Sequence, residues 1–472
     1  MEVLIEKGAN VNGCNIEKQG SGIPGVTPLL AALTNTNEDD ESYNKIGAVR
    51  TIEVLLSLGA DPHQVGRGMV SGVPITPLHA AIQWPEAAVA MLKHTSTKYP
   101  TKYDINAKCK QIDKMKAYKT PLIGYAPLHL AAQNMEWKCG RRRGRGGTKF
   151  TDFDHCDNLE LMLLLLAYNG SSGRIDINQQ TDDGQTPLHL ICEHYSEATA
   201  VYNPFLAILV AHSAVLDVDA LNADGLTALQ VLCTEIGCFL RYPGYISAYK
   251  FSSVALLVTF GADRTHRSEL TDKSAQDMVS DIAKELVAID ERYYSDDPKT
   301  EVNVTAIKIQ QWFAATSGWS PLAVGAGCRF YREIETAFQR GVFNLDSFAL
   351  CELKDAVAKA NATPPELDWD DAPEVCQRTV RLMNAAVTNW RKGWIPAGHQ
   401  LFHSGVRTAV HAVLVVAARL QQLTADESKD HLPVLPTEIW QYIMNFFLRS
   451  DWEVPPLDKD YVFRLMQANN VQ

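Results

Sequence analysis

A chain of 472 residues, 46% hydrophobic and 21% charged, has the balance of a globular protein and not of a disordered or fibrous one, and it is long for a single hydrophobic core. Its 55 acidic and 44 basic side chains leave a formal net charge of −11, which argues against a dedicated nucleic-acid-binding domain, whose affinity would rest on cations facing phosphate. The most apolar runs, Leu161 to Ala167 and Ala409 to Ala418, fall short of the roughly 18–20 residues a membrane span needs, so no membrane partner is expected.

The chain opens with MEVLIEKGANVN, a phrase that returns as IEVLLSLGAD from Ile52 to Asp61, LELMLLLLAYNG from Leu159 to Gly170, FLAILVAHSA from Phe205 to Ala214 and VALLVTFGAD from Val254 to Asp263. Between these copies a second phrase recurs: Thr27-Pro28-Leu29-Leu30-Ala31-Ala32, Thr76-Pro77-Leu78-His79-Ala80-Ala81, Ala126-Pro127-Leu128-His129-Leu130-Ala131-Ala132, Thr186-Pro187-Leu188-His189-Leu190 and Thr227-Ala228-Leu229-Gln230-Val231-Leu232. The residue types suit paired helices. A threonine oxygen such as that of Thr76 or Thr186 accepts an unpaired first-turn N–H. Pro77 and Pro187 have their φ preset for the first turn and lack only an N–H that would go unused. Gly59 and Gly261 stand where a left-handed residue ends the second helix. Asp183-Gly184 and Asp224-Gly225 are turn dipeptides at the tips of finger-like connections.

The two phrases in fixed order resemble the ankyrin repeat over about residues 1 to 295. That resemblance implies an all-α solenoid of helix pairs with β-turn fingers, each pair burying its apolar face only by stacking on a neighbour. In this register the TPLH histidines His79, His129 and His189 are expected to bond backbone in a neighbouring loop. The copies lie further apart than the ~33 residues of a standard unit, with the excess at Asn35 to Asn44, Thr95 to Tyr103, Met135 to Asp154 and Gly237 to Ala248. Met1 falls inside a second helix whose first helix is missing, so the natural protein is expected to begin further upstream.

Residues Leu270 to Asp290 read as a terminal half-repeat with a polar outer face, and Glu291 to Glu301 as a linker. Trp319 to Gly341 reads as one more, degenerate, ankyrin unit with Ser320-Pro321-Leu322 in the TPL position. The expected organisation is a solenoid over 1–295, a linker and degenerate repeat over 296–345, and a helical C-terminal region over 346–472. Helices are expected in that region at Pro373 to Trp390, Gly405 to Leu423 and Pro436 to Leu448. The last resembles the opening of an F-box in Leu435, Pro436, Glu438, Ile439 and Ile443, and the helix–spacer–helix order also resembles a SOCS box. The tail is similar to those of algal ankyrin-repeat proteins too. Only 37 residues follow Leu435, fewer than a full F-box holds, and the preceding helix lacks the Leu/Cys pair of a SOCS box.

The function this implies is that of a protein-binding scaffold or adaptor. By repeat register the partner-binding residues would be Gln83, Trp84, Gln133, Asn134, Glu193 and His194 on the first helices, with Gln180, Asp182, Asn222 and Asp224 on the fingers. Trp84 is either an exposed aromatic anchor or buried beneath its own insertion. The alternative is a substrate receptor of a cullin-type ubiquitin ligase, with Leu435, Pro436, Ile439, Ile443 and Phe446 holding the ligase adaptor.

Catalysis is not expected. No nucleophile elbow or phosphate-cradling glycine loop is present, and Asp39-Asp40, Asp182-Asp183 and Asp370-Asp371 fall in turns and loops. His155-Cys156 lacks a second ligand pair, so neither metal nor cofactor is implied. The 10 cysteines form no CxxC pair, and Cys192 and Cys233 sit in apolar helical runs, which points to reduced thiols and a cytoplasmic setting. Arg141 to Arg145, set among glycines, read as a solvated insertion. Nuclear import or RNA contact are the competing readings, and no aromatic residues interleave the arginines to stack on bases.

Overall fold

A computed structural model describes residues 9–13, 25–34, 45–67, 74–82, 84–94, 104–109, 124–133, 157–167, 169–170, 173–193, 204–212, 215–238, 248–293, 305–362, 373–391, 396–402, 407 and 410–416. Among these, strand is confined to two antiparallel pairs of two residues each, β1 (Gly66–Arg67) with β2 (Pro74–Ile75) and β3 (Asn169–Gly170) with β4 (Gly173–Arg174). Everything else that is regular is helix. The contacts divide the chain into two compact units, the first built from 1–199, 220–231 and 457–462 and the second from the remainder.

The first unit holds α1 (Pro28–Thr34), α2 (Lys45–Ser57), α3 (Pro77–Ile82), α4 (Pro85–Lys93), α5 (Pro127–Gln133), α6 (Asp157–Ala167) and α7 (Pro187–Glu193). Successive helices pair as α1–α2, α3–α4 and α5–α6, and the pairs stack in two files, α1–α3–α5–α7 and α2–α4–α6. The short first helices α3 and α5 are buried along their whole length. A helix of six or seven residues is unstable alone, so it persists here because both of its flanks are covered.

The helix starts share one polar device. The hydroxyls of Thr27, Thr76, Thr186 and Thr227 accept the N–H of the residue three positions on, at 3.2, 3.3, 3.4 and 3.3 Å. In the TPLH copies the histidine completes the cap. His129 Nδ1 accepts the Ala126 N–H at 3.1 Å, and His189 Nδ1 accepts that of Thr186 at 3.2 Å. With Nδ1 accepting, the proton sits on Nε2. That nitrogen reaches a carbonyl of the next finger: His79 to Ala107 at 3.0 Å, His129 to Gln179 at 2.8 Å and His189 to Leu226 at 3.0 Å. Each ring therefore clips one repeat to its successor, as expected. This is the ankyrin-repeat fold.

A second ladder joins the fingers. Asn12 Oδ1 accepts the Asp61 N–H at 2.6 Å while its Nδ2 donates to Gly59 O at 3.1 Å. Asn106 Oδ1 likewise accepts the Asp176 N–H at 2.8 Å. Gly59 ends α2 at φ 90°, the left-handed geometry that a side chain would oppose.

The second unit contains α8 (Pro204–His212), most of α9 (Ala228–Cys238, whose first turn belongs to the first unit), α10 (Ala248–Thr259), α11 (Ala275–Tyr293), α12 (Thr305–Ala315), α13 (Pro321–Gly327), α14 (Tyr331–Gln339), α15 (Leu350–Asn361) and α16 (Pro373–Asn389). In the segment Leu270 to Asp290, expected as a terminal half-repeat, α11 packs on α12. The segment Trp319 to Gly341, expected as a degenerate unit, holds the helices α13 and α14, with Ser320 accepting the Ala323 N–H at 3.3 Å. Its packing is not that of a further repeat, however: α13 lies on α10, and α14 lies on α8.

Shape explains this packing. Gly325 of α13 has no side chain, and a Cβ there would collide with Thr259 of α10, so the two helices meet backbone to side chain. Phe260, Phe338, Phe343 and Phe348 form an aromatic cluster beside the contact, with centroid separations of 5.1 to 6.3 Å. Of the expected tail helices, α16 matches Pro373 to Trp390 to within a residue, and 410–416 is helical within Gly405 to Leu423. The segment Pro436 to Leu448 lies outside the described residues, as do the insertions at 35–44, 95–103 and 135–154 with the Arg141–Arg145 run.

Candidate protein-recognition face

The TPLH histidines have the chemistry most often recruited for catalysis, but their surroundings commit them to the scaffold. Burial, opposed only in part by backbone hydrogen bonds, lowers the pKa of His79, His129 and His189, that of His129 to about 4. Near neutral pH each is an uncharged ring whose two nitrogens are both engaged in the cap and the bridge. Buried Cys109 and Cys233 are pushed the other way, to about 11 and about 12, and so stay as thiols. Among the described residues no group of three or more His, Cys, Asp or Glu side chains could hold a metal ion, and no helix is long and apolar enough to cross a membrane.

What the first unit presents outward are its finger tips. Gln180, Asp182, Asp183, Ala223 and Asp224 are exposed, and Leu221 is 41% exposed. The tips are held from below. Asp183 O accepts the Ala223 N–H at 3.1 Å, and Gln180 Nε2 donates to Leu221 O at 2.8 Å. Gly184, at φ 72°, lets the two tips approach so closely that a Cβ would meet Ala223 N at 2.6 Å. Lys108 on the preceding finger reaches Asp182 at 3.9 Å, an exposed pair of small energetic weight. The outcome is a polar edge with a fixed backbone, on which Asp183 and Asp224 are exposed.

The other register-based candidates fall differently. Asn222 uses Oδ1 to accept the N–H groups of Asp224 and Leu226 at 3.0 and 2.9 Å, so it shapes the tip more than it offers a contact. Glu193 accepts from Gln185 Nε2 at 2.7 Å. Trp84 and Gln133 are only 6% and 4% exposed, which corrects the picture of Trp84 as an exposed anchor. It stands at the start of α4, in the sharp turn that follows α3, where its indole is enclosed. Gln83, Asn134 and His194 lie outside the described residues, as do Leu435, Pro436, Ile439, Ile443 and Phe446.

Sequence reasoning missed the finger ladder, although its signal is there. Asn10-Val11-Asn12, Asp104-Ile105-Asn106, Asp176-Ile177-Asn178, Asp217-Val218-Asp219 and Asp263-Arg264-Thr265 are copies of one turn, in which the first side chain accepts the N–H two residues on.

Among solved structures, the human ASB11 ankyrin repeat domain is similar at 20% identity, covering 65% of this chain and 90% of that one, with a TM-score of 0.34. No protein-family model matches the chain, and no curated protein matches it. The repeat assignment stands on the caps, bridges and stacked files described above.

Proposed function

We propose that the chain is a protein-binding scaffold that recognises its partner through the finger face of the first unit. The observation that supports this reading is the contrast at that face. The backbone of the tips is cross-linked from finger to finger, while the side chains of Gln180, Asp182, Asp183 and Asp224 are exposed. A surface already ordered before contact loses little conformational freedom on binding, which favours recognition.

The test is quantitative capture from the native cell by the full chain, against a Gln180→Ala/Asp182→Ala/Asp224→Ala variant and a control altered at Arg50 and Glu53 on α2. A partner lost with the finger variant and retained with the control supports the reading, provided both variants melt like the parent. Equal capture by all three would remove the finger face from consideration.

A further inference from the structure

The second unit contains a cleft of about 630 Å³, within the range of roughly 300–1,000 Å³ that holds small ligands. Its walls are the finger Ala262–Thr265 below α10, the Ser317–Pro321 turn between α12 and α13, and the first turns of α15. The charges on these walls are unequal. Asp263, Glu352 and Asp355 supply carboxylates, against the single cation Arg264. Arg264 is occupied: Nη1 donates to Thr316 Oγ1 and Nη2 to Thr316 O, both at 2.7 Å, which fixes the guanidinium to the end of α12.

One wall is aromatic, and the chain itself shows what it attracts. Lys359 of α15 places its Nζ 4.3 Å from the centroid of the Trp319 ring and 3.9 Å from Asp355. A ring face beside a carboxylate is a seat for an ammonium group, through the quadrupole of the indole and the charge of the acid. Lys359 fills that seat from the rim. Asp263 and Glu352 line the rest of the cleft, each held in place by a backbone N–H: Glu352 Oε2 accepts that of Ala349 at 2.9 Å and Asp263 Oδ1 that of Thr265 at 2.8 Å.

We propose that this cleft binds an aliphatic ammonium group, the shared chemistry of a linear polyamine and of a lysine side chain carried on a peptide. Trp319 stacks on the cation, Asp355 and Glu352 pair with it, and Lys359 competes for the same seat. The site is separate from the finger face and does not depend on that face binding anything.

Calorimetric titration of the full chain with spermidine, and in a second arm with a short end-blocked peptide whose sole charge is one lysine, tests this at physiological salt. Binding of spermidine alone identifies a free amine as the ligand, and binding of the lysine peptide identifies a protein-borne one. A Glu352→Gln/Asp355→Asn variant should weaken binding about tenfold, near the sum expected for two partly exposed ion pairs. Lys359→Ala should strengthen it about threefold by vacating a cation–π seat. Lys354→Ala, which removes the same charge from an exposed position of the same helix outside the cleft, should leave it unchanged. The proposal is overturned if neither probe binds, if the double variant binds as the parent does, or if Lys354→Ala and Lys359→Ala strengthen binding equally. The Lys359 arm stands even if the double variant fails to fold.

Discussion

The two units solve the same packing problem with different chemistry. In three repeats of the first, the third residue of the opening helix turn is His79, His129 or His189, whose two nitrogens serve the cap and the next finger at once. In the second, the equivalent position is Asp277 or Ala323. Asp277 closes its own cap, accepting the Ser274 N–H at 3.0 Å, and pairs with Arg267 at 3.0 Å, whereas the methyl group of Ala323 can do neither. The second unit holds together by shape instead, through the Gly325–Thr259 approach, the Phe260–Phe343 stack and α13–α14 lying on α10 and α8. A polar clip repeats and extends an array; a shape-matched contact occurs once and ends the regularity.

Acid should expose this difference most strongly. For His79, His129 and His189 the folded pKa lies below the unfolded value of 6.5, so the unfolded chain binds protons that the folded chain refuses. Stability is then full above pH 6.5 and falls as the pH drops from there towards the folded pKa, about 4 for His129. A tenfold change in proton affinity is worth about 1.4 kcal/mol, so His129 alone accounts for a loss on the order of 3 kcal/mol. Hydrogen exchange at pH 7.5 and pH 5 should show first-unit amides losing protection well ahead of those in α13 to α15, and His129→Gln should flatten the profile. Equal loss in both units would break the comparison.

Replacing His189 by Ala removes the acceptor of the Thr186 N–H and a donor to the Leu226 carbonyl, which keeps the Asn222 N–H at 3.0 Å, at a cost of about 1–3 kcal/mol in urea melts. Gln230→Ala, which removes the acceptor of the Thr227 N–H, should cost about 1 kcal/mol. Gly325→Ala acts on the other unit: the new methyl group meets Thr259, and the local loss should be about 1–3 kcal/mol, read from amides of α10 and α13. The smallest effect is a gain. Asp219 stands in the ladder position filled by Asn12 and Asn106, accepting the Asp263 N–H at 2.9 Å but lacking an amide donor, and burial raises its pKa. Asp219→Asn should stabilise the protein by about 1 kcal/mol at pH 7, and by less as the pH falls towards the carboxylate range. A neutral or negative effect at pH 7 would show that the aspartate has another role.

Much of the fold was legible because the repeat states its own rules. Thr76, Pro77, Leu78 and His79 specify a capped helix start in four consecutive letters, and Gly59 specifies a helix end. The candidate site was less legible. Register placed Gln180, Asp182 and Asp224 on the exposed finger edge, where they are, but it also nominated Trp84 and Gln133, which are buried. Position within a repeat fixes which face of a helix a residue occupies. It says nothing of what an insertion or an adjacent turn lays over that face. The cleft beside Trp319 had no local signal at all, since its walls come from segments up to 97 residues apart, Val258 to Asp355.

The sequence by itself determined the local elements: where helices start and stop, which carry a histidine clip, and that neighbouring pairs must stack, because caps and apolar spacing act over a few residues. Tertiary structure decided where the pair α13–α14 lies and what surrounds Trp84, Arg264 and Asp355. Those outcomes depend on steric fit between segments far apart in the chain, such as a glycine that admits one particular threonine, and no short-range pattern encodes such a match.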